Sequence, residues 1–128
     1  MPLIEIITVL ALIQFVVQGV RVGQARGKYG VEAPAITGHP VFERHFRVHQ
    51  NTMEALVVFL PALWLCAETL NPLLAAALGA VFIVARFVYE RGYIEDPKKR
   101  STGALLTAIA SSLLLIGALI GALRRLMV

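Results

Sequence analysis

The sequence predicts an all-α integral membrane protein, a bundle of four helices in one domain covering residues 1–128. Three observations predict it. Of the residues, 58% are hydrophobic and 16% charged, against about 25% charged in soluble domains. A soluble domain this small must keep much of its surface polar, and a mean hydropathy of +0.75 leaves too little polar material for that. Four apolar segments, about residues 3–22, 52–70, 73–89 and 103–123, come close to the length that a spanning helix needs, and basic residues gather between alternate segments.

The first segment, Leu3 to Val22, lacks a basic leader and a small-residue cleavage site, so it reads as a spanning helix rather than a signal peptide. The second (Thr52 to Leu70) and third (Leu73 to Tyr89) have uncharged cores of 13 residues each, Ala55–Ala67 and Leu73–Ala85. That length alone also suits a buried soluble helix. They are read as spanning because nothing else in the chain could cover four apolar helices from water, and their polar ends are expected to continue as helix past the lipid. Pro61 predicts a kink, which neighbouring helices tolerate in a membrane. Asn71-Pro72 predicts a tight turn between the two segments. Pro34, Gly38 and Pro40 break the stretch after segment one, and Gly92 and Pro97 punctuate the stretch after segment three. The fourth segment, Gly103 to Leu123, is the cleanest, with no charge between Arg100 and Arg124.

Net charge is +4. The basic residues lie between apolar segments, so they are read as topology signals and no nucleic-acid partner is expected. Arg21, Arg26, Lys28, Arg44, Arg47, Arg91, Lys98, Lys99 and Arg100 fall on one side, and Arg124 and Arg125 on the other. This places both long connections in the cytosol and both termini outside it. A bacterial inner membrane is the preferred location over the endoplasmic reticulum. The lone cysteine, Cys66, reads as a small buried hydrophobe.

The informative polar residues cluster at the cytosolic ends of segments two and three. Arg44, Arg47, Asn51 and Glu54 stand at i, i+3, i+7 and i+10, and Arg86, Tyr89 and Tyr93 at i, i+3 and i+7, so each set shares one helical face. Arg100 follows shortly before segment four. Ion pairs such as Arg47–Glu54 or Arg86–Glu54 would account for single members of this cluster, as would tyrosines anchoring at the interface. Pairing alone does not explain the excess of guanidinium over carboxylate. That excess suits an anionic ligand or a lipid head group, gripped by guanidinium forks.

Other chemistry is weakly signalled. There is no phosphate-binding glycine loop. His45 and His49 have metal-compatible i, i+4 spacing, but no cysteine or aspartate lies beside them and no metal is expected. Ser111 and Ser112 have no neighbouring base and are read as packing residues. Glu68 has no obvious partner.

The run Phe42-Glu43-Arg44-His45-Phe46-Arg47-Val48-His49-Gln50-Asn51-Thr52-Met53-Glu54 resembles the FER-x-x-R-x-x-x-N-x-x-E motif of the membrane-associated proteins in eicosanoid and glutathione metabolism. Ala85-Arg86-Phe87-Val88-Tyr89-Glu90-Arg91-Gly92-Tyr93, followed by Arg100, resembles that family's second motif, A-R-x-x-Y-x-x-G-Y, and the arginine after it. The four-segment layout matches across nearly the whole chain. The resemblance implies a homotrimer with glutathione bound between protomers near the cytosolic face. By position it carries over Arg47, Asn51, Glu54, Tyr89, Tyr93 and Arg26 as glutathione-binding residues of the leukotriene C4 synthase type. His49 stands where that relative has a glutamine contact. Arg100 aligns with the arginine that activates the thiol. Ala55 replaces a tyrosine and Gly27 an arginine associated with the lipid substrate, departures that argue against leukotriene C4 synthesis itself.

The implied ligand fits the residues. Glutathione carries two carboxylates for arginines and an ammonium for Glu54. Its thiol resembles that of free cysteine, with a pKa of about 8.5, so a guanidinium beside the sulfur favours the thiolate. The expected function is a membrane glutathione transferase, with peroxidase chemistry open to the same thiolate, acting on hydrophobic small-molecule or lipid substrates that arrive through the membrane. Glutathione is the co-substrate. The alternatives are a non-catalytic lipid-binding or scaffold member of the same family and, less favoured, a small transporter. A transporter needs an ionisable group deep in a helix, whereas Glu5, Glu54, Glu68 and Arg86 lie towards helix ends.

Overall fold

A computed structural model describes residues 1–128. The chain forms α1 (Pro2–Tyr29), α2 (Pro40–Thr69), α3 (Pro72–Glu95), a single 3-10 turn (Pro97–Arg100) and α4 (Ser101–Leu126). The punctuation read from the sequence sets these limits. Prolines open α1, α2 and α3 at the first helical position, where a missing N–H is harmless. The Asn71 side chain accepts from Leu73 N at 2.8 Å and Leu74 N at 3.0 Å, capping α3 and closing the turn from α2. Gly30 ends α1 with φ 69°, a left-handed conformation that glycine adopts without strain.

The helices outrun the apolar segments, as expected for their polar ends. α1 continues past Val22 to Tyr29, α2 begins well before Thr52, and α3 continues to Glu95. The polar motif of segment two therefore sits on rigid helix rather than in a loop. α2 also runs through Pro61 without interruption.

All four helices are long and apolar enough to cross a membrane. Their outer faces carry bare aliphatic side chains, such as Val57 at 70% exposure and Leu119 at 61%, which suit lipid and not water. Inside, Phe59 and Phe82 stack at 3.7 Å between ring centroids, surrounded by Ile4, Ala11, Leu63 and Leu114. Cys66 is fully buried in the same core. Small residues let the helices approach: a Cβ on Gly117 would lie 2.8 Å from the Cys66 sulfur. α1 and α3 run parallel, since Gln14 Nε2 donates to the Ile83 carbonyl at 3.0 Å and Arg21 donates to the Glu90 carboxylate the same sequence separation further along.

Glu68 does have a partner. Arg125 donates to its backbone carbonyl at 2.6 Å and stands 3.9 Å from its carboxylate, tying the end of α2 to the end of α4. The pair is invisible in sequence because the two residues are brought together only by parallel packing of α2 and α4.

Candidate functional site

Three helices and one turn build the site. Asn51 and Glu54 come from α2, Arg86 and Tyr89 from α3, and Arg100 from the end of the 3-10 turn, all lining a cavity of about 450 Å³. Two glycines allow this convergence. A Cβ on Gly92 would lie 2.6 Å from the Lys99 carbonyl oxygen, so the turn rests directly on α3. A Cβ on Gly103 would collide with the Tyr89 backbone, so α4 leaves the turn in contact with α3. Asp96 caps the turn by accepting from Lys98 N at 3.1 Å. Arg100 is solvent-facing and donates to the Pro97 carbonyl at 3.0 Å.

Arg86 is the floor of the cavity. It is 1% exposed. Its Nη2 donates to Asn51 Oδ1 at 2.8 Å and to Thr52 Oγ1 at 2.9 Å, and its Nη1 approaches Thr107 Oγ1 at 3.4 Å. The guanidinium lies 4.2 Å from the Tyr89 ring centroid, a cation–π contact. All these partners are neutral, and Nε has none. A buried cation with no carboxylate in direct contact is costly and makes its surroundings receptive to an anion. With Arg100 above it and Glu54 the only carboxylate in the lining, the cavity has an excess of positive charge.

The ion pairs considered from the sequence are absent here: neither Arg47 nor Arg86 bridges to Glu54. Glu54 is left exposed beside the cavity. A partly buried ion pair forms instead between Arg21 and Glu90, joining α1 to α3 with the Glu90 side chain only 4% exposed. It borders a second cavity of about 450 Å³, also lined by His45, which shares no residue with the first.

Of the eight residues expected at the site, Asn51, Glu54, Tyr89 and Arg100 line the cavity. Tyr93 stands beside it, its ring 5.6 Å from that of Tyr89. Arg47 lies one turn before Asn51 on the same face and donates to Gln50 Oε1 at 3.1 Å. Arg26 and His49 are elsewhere. Arg26 donates to the Ala35 carbonyl at 2.7 Å with its guanidinium 4.8 Å from the Phe42 ring centroid. His49 stacks on Phe15 at 4.3 Å. At about 100° per residue, His49 points to the opposite side of α2 from Asn51 and Glu54. One chain cannot bring all eight to one ligand.

In the sequence Arg86 is one of the excess guanidinium groups of the polar cluster, and nothing there singles out Thr52 or Thr107 as its partners. A threonine in an apolar run reads as a tolerated helix residue, and nothing local shows which cation it holds. Ser111 and Ser112, read from the sequence as packing residues, border the cavity within this chain. They line the lower half of the cavity with Ala104 and Ala108, because i, i+4 and i+7 positions of α4 share a face.

Comparison with known proteins agrees with the two motifs. The MAPEG family model matches residues 4–120. Human microsomal glutathione S-transferase 2 is 42% identical over 118 residues, covering 91% of this chain and 80% of the relative. Bovine leukotriene C4 synthase is 31% identical over 121 residues, covering 94% and 81%. An uncharacterised protein of Synechocystis is 46% identical over 118 residues, covering 92% and 86%.

Proposed function

The chain belongs to the MAPEG family, as a multi-pass integral membrane protein, and from that premise we propose that it is a glutathione transferase acting on hydrophobic electrophiles. The observation that carries this reading is the cavity in which Arg86 and Arg100 outnumber Glu54. Glutathione has the complementary charges. Its carboxylates suit the guanidinium groups of Arg47 and the cavity floor, its ammonium suits Glu54, and Asn51 and the two tyrosines supply neutral hydrogen bonds.

Arg100 is the activating residue of this reading. Each unit by which it lowers the thiol pKa is worth about 1.4 kcal/mol of preferential thiolate stabilisation. The thiolate sulfur attacks the electrophilic carbon, a C–S bond forms, and the leaving group departs with its electron pair. With a hydrophobic hydroperoxide the sulfur attacks the terminal peroxide oxygen instead, the O–O bond breaks and the alcohol leaves, and a second glutathione thiol displaces water from the resulting sulfenic acid to give the disulfide. Both reactions start from the same bound thiolate. The position of Arg26 and His49 on the far side of α2 supports a site completed by the neighbouring protomer of a trimer. The proposed setting is a bacterial inner membrane with the site on the cytosolic side and both termini outside. Reporter fusions at either terminus test that orientation, and a cytosolic C-terminal reporter would overturn it.

The experiment that tests the reading is ultraviolet difference absorbance of purified protein with glutathione at neutral pH. A thiolate band is expected, and it should vanish in Arg100→Ala. A lipid-binding, non-catalytic member of the family is the second reading, favoured by Ala55, which supplies no hydroxyl to the cavity lining. Absence of both the thiolate band and glutathione binding would select it.

A further inference from the structure

The cavity does not end at the charged residues. It continues along α4 past Ala104 and Ala108 to Ser111, Ser112 and Leu115, with Val58 of α2 opposite. α4 is sharply two-sided here. The face turned away from the cavity carries Leu105, Ile109, Leu113 and Ile116, all exposed as lipid-facing residues would be. The cavity face carries only small and hydroxyl-bearing side chains as far as Leu115.

The two serines also behave differently from three of the threonines in the spanning helices. Thr8, Thr69 and Thr107 each turn their hydroxyl back to the carbonyl four residues earlier, at 2.7 Å. Ser111 and Ser112 make no hydrogen bond and lie near the middle of α4, at the level of the membrane interior. A hydroxyl facing hydrocarbon without a partner is unfavourable. Both open onto a cavity whose other end holds Arg100, and ten residues of helix from Ser101 to Ser111 span about 15 Å.

We infer that Ser111 and Ser112 form a hydrogen-bonding subsite for the second substrate, selecting long-chain electrophiles that carry a hydroxyl, hydroperoxide or carbonyl group remote from the reacting carbon. The inference rests on the transferase reading and deepens it. The electrophilic carbon sits beside the thiolate near Arg100, the alkyl chain lies over Ala104, Ala108 and Val58, and the remote polar group meets the serine hydroxyls.

The test compares two long-chain 2-alkenals that differ only in a terminal hydroxyl. Wild-type protein should favour the hydroxylated chain by about tenfold in kcat/KM, the value of one hydrogen bond at about 1.4 kcal/mol. In the S111A/S112A double variant the ratio of the two kcat/KM values should fall to near one, with glutathione affinity, read by equilibrium binding, as the check that the charged end of the cavity is intact. Equal kcat/KM for both chains in wild type, or a preference that survives in the double variant, would overturn the inference. So would loss of the native oligomeric state in the double variant by native mass spectrometry, because the serines would then act in packing between protomers. Failure of the transferase reading looks different: neither chain, nor a short generic electrophile, would be conjugated. The saturated analogues of the two chains, compared by equilibrium binding, then decide the serine assignment, a hydroxyl preference lost in the double variant supporting it and no preference overturning it.

Discussion

The Arg86 guanidinium donates to the Asn51 side-chain oxygen at 2.8 Å across the interface of α3 and α2, and no carboxylate joins them. Asn51 thus holds the cation in place without neutralising it. An aspartate there would be nearly isosteric and would convert the hydrogen bond into an ion pair. Asn51→Asp should therefore keep or raise the thermal stability of the protein in detergent while weakening glutathione binding by tenfold or more, about 1.4 kcal/mol. Calorimetric titration beside a melting curve checks both halves. Unweakened binding would show that the net charge of the cavity floor does not matter to the ligand.

Arg100 should control reactivity more than affinity. Arg100→Ala is expected to lower turnover by about tenfold or more at neutral pH, with a much smaller change in glutathione dissociation constant. The pH dependence carries the sign. On the proposed reading Arg100 lowers the thiol pKa, so wild-type turnover should be fully present above the lowered value and be lost only as pH falls through it. In the variant the thiol titrates near its free value of about 8.5, so activity climbs as pH rises toward it. The ratio of wild type to variant should be greatest at and below the lowered pKa and shrink towards one as pH rises past about 8.5. A ratio constant across the pH range would remove Arg100 from thiol activation.

The parts of the protein that were legible in the sequence are those fixed by local pattern. Four apolar runs give four helices, and i, i+3, i+7 spacing puts Asn51 and Glu54 on one face and Arg86 and Tyr89 on another. What the sequence hid depends on contacts between distant helices. Thr107 looks like any threonine in a membrane segment until α4 packs beside Arg86, 21 residues earlier in the chain. Arg21 and Glu90 are 69 residues apart, and only parallel packing of α1 and α3 pairs them. The divergence of His49 from Asn51 follows from helical geometry alone, yet motif resemblance groups them because it records position and not direction. Gly92 reads as punctuation and Gly103 as the first residue of the fourth apolar segment, whereas their missing side chains are what let the Arg100 turn and α4 press against α3.

That last point is testable. A side chain at Gly103 must displace the Tyr89 backbone. Gly103→Ala should destabilise the protein by about 1–3 kcal/mol through overpacking and, by moving α4, reduce glutathione turnover as well. Gly23→Ala is the control: it lies inside α1 and a Cβ there meets nothing within 4 Å. It should be neutral or stabilise by up to about 1 kcal/mol, since alanine is the better helix former. Equal melting temperatures for the two variants would rule out a close α3–α4 contact at Gly103.

The Arg21–Glu90 pair gives a prediction about fold rather than chemistry. Glu90 is nearly inaccessible and Arg21 is its only ionic partner, while Arg21 itself is partly exposed at the helix end. Removing the two members should then be unequal. Arg21→Ala strands a buried carboxylate and should lower stability by about 3 kcal/mol. Glu90→Gln leaves a cation that can still reach water, and the glutamine oxygen can still accept from it, so the loss should be about 1 kcal/mol. Combining the two substitutions should recover part of what Arg21→Ala loses, because the stranded charge is gone. Unfolding in a denaturant series measures the cycle. Strict additivity, with the double variant as damaged as the sum of its parts, would mean that the pair does not bind α1 to α3 electrostatically. The cavity of the candidate site shares no residue with this pair, so turnover per folded molecule should stay at the wild-type level in all three variants.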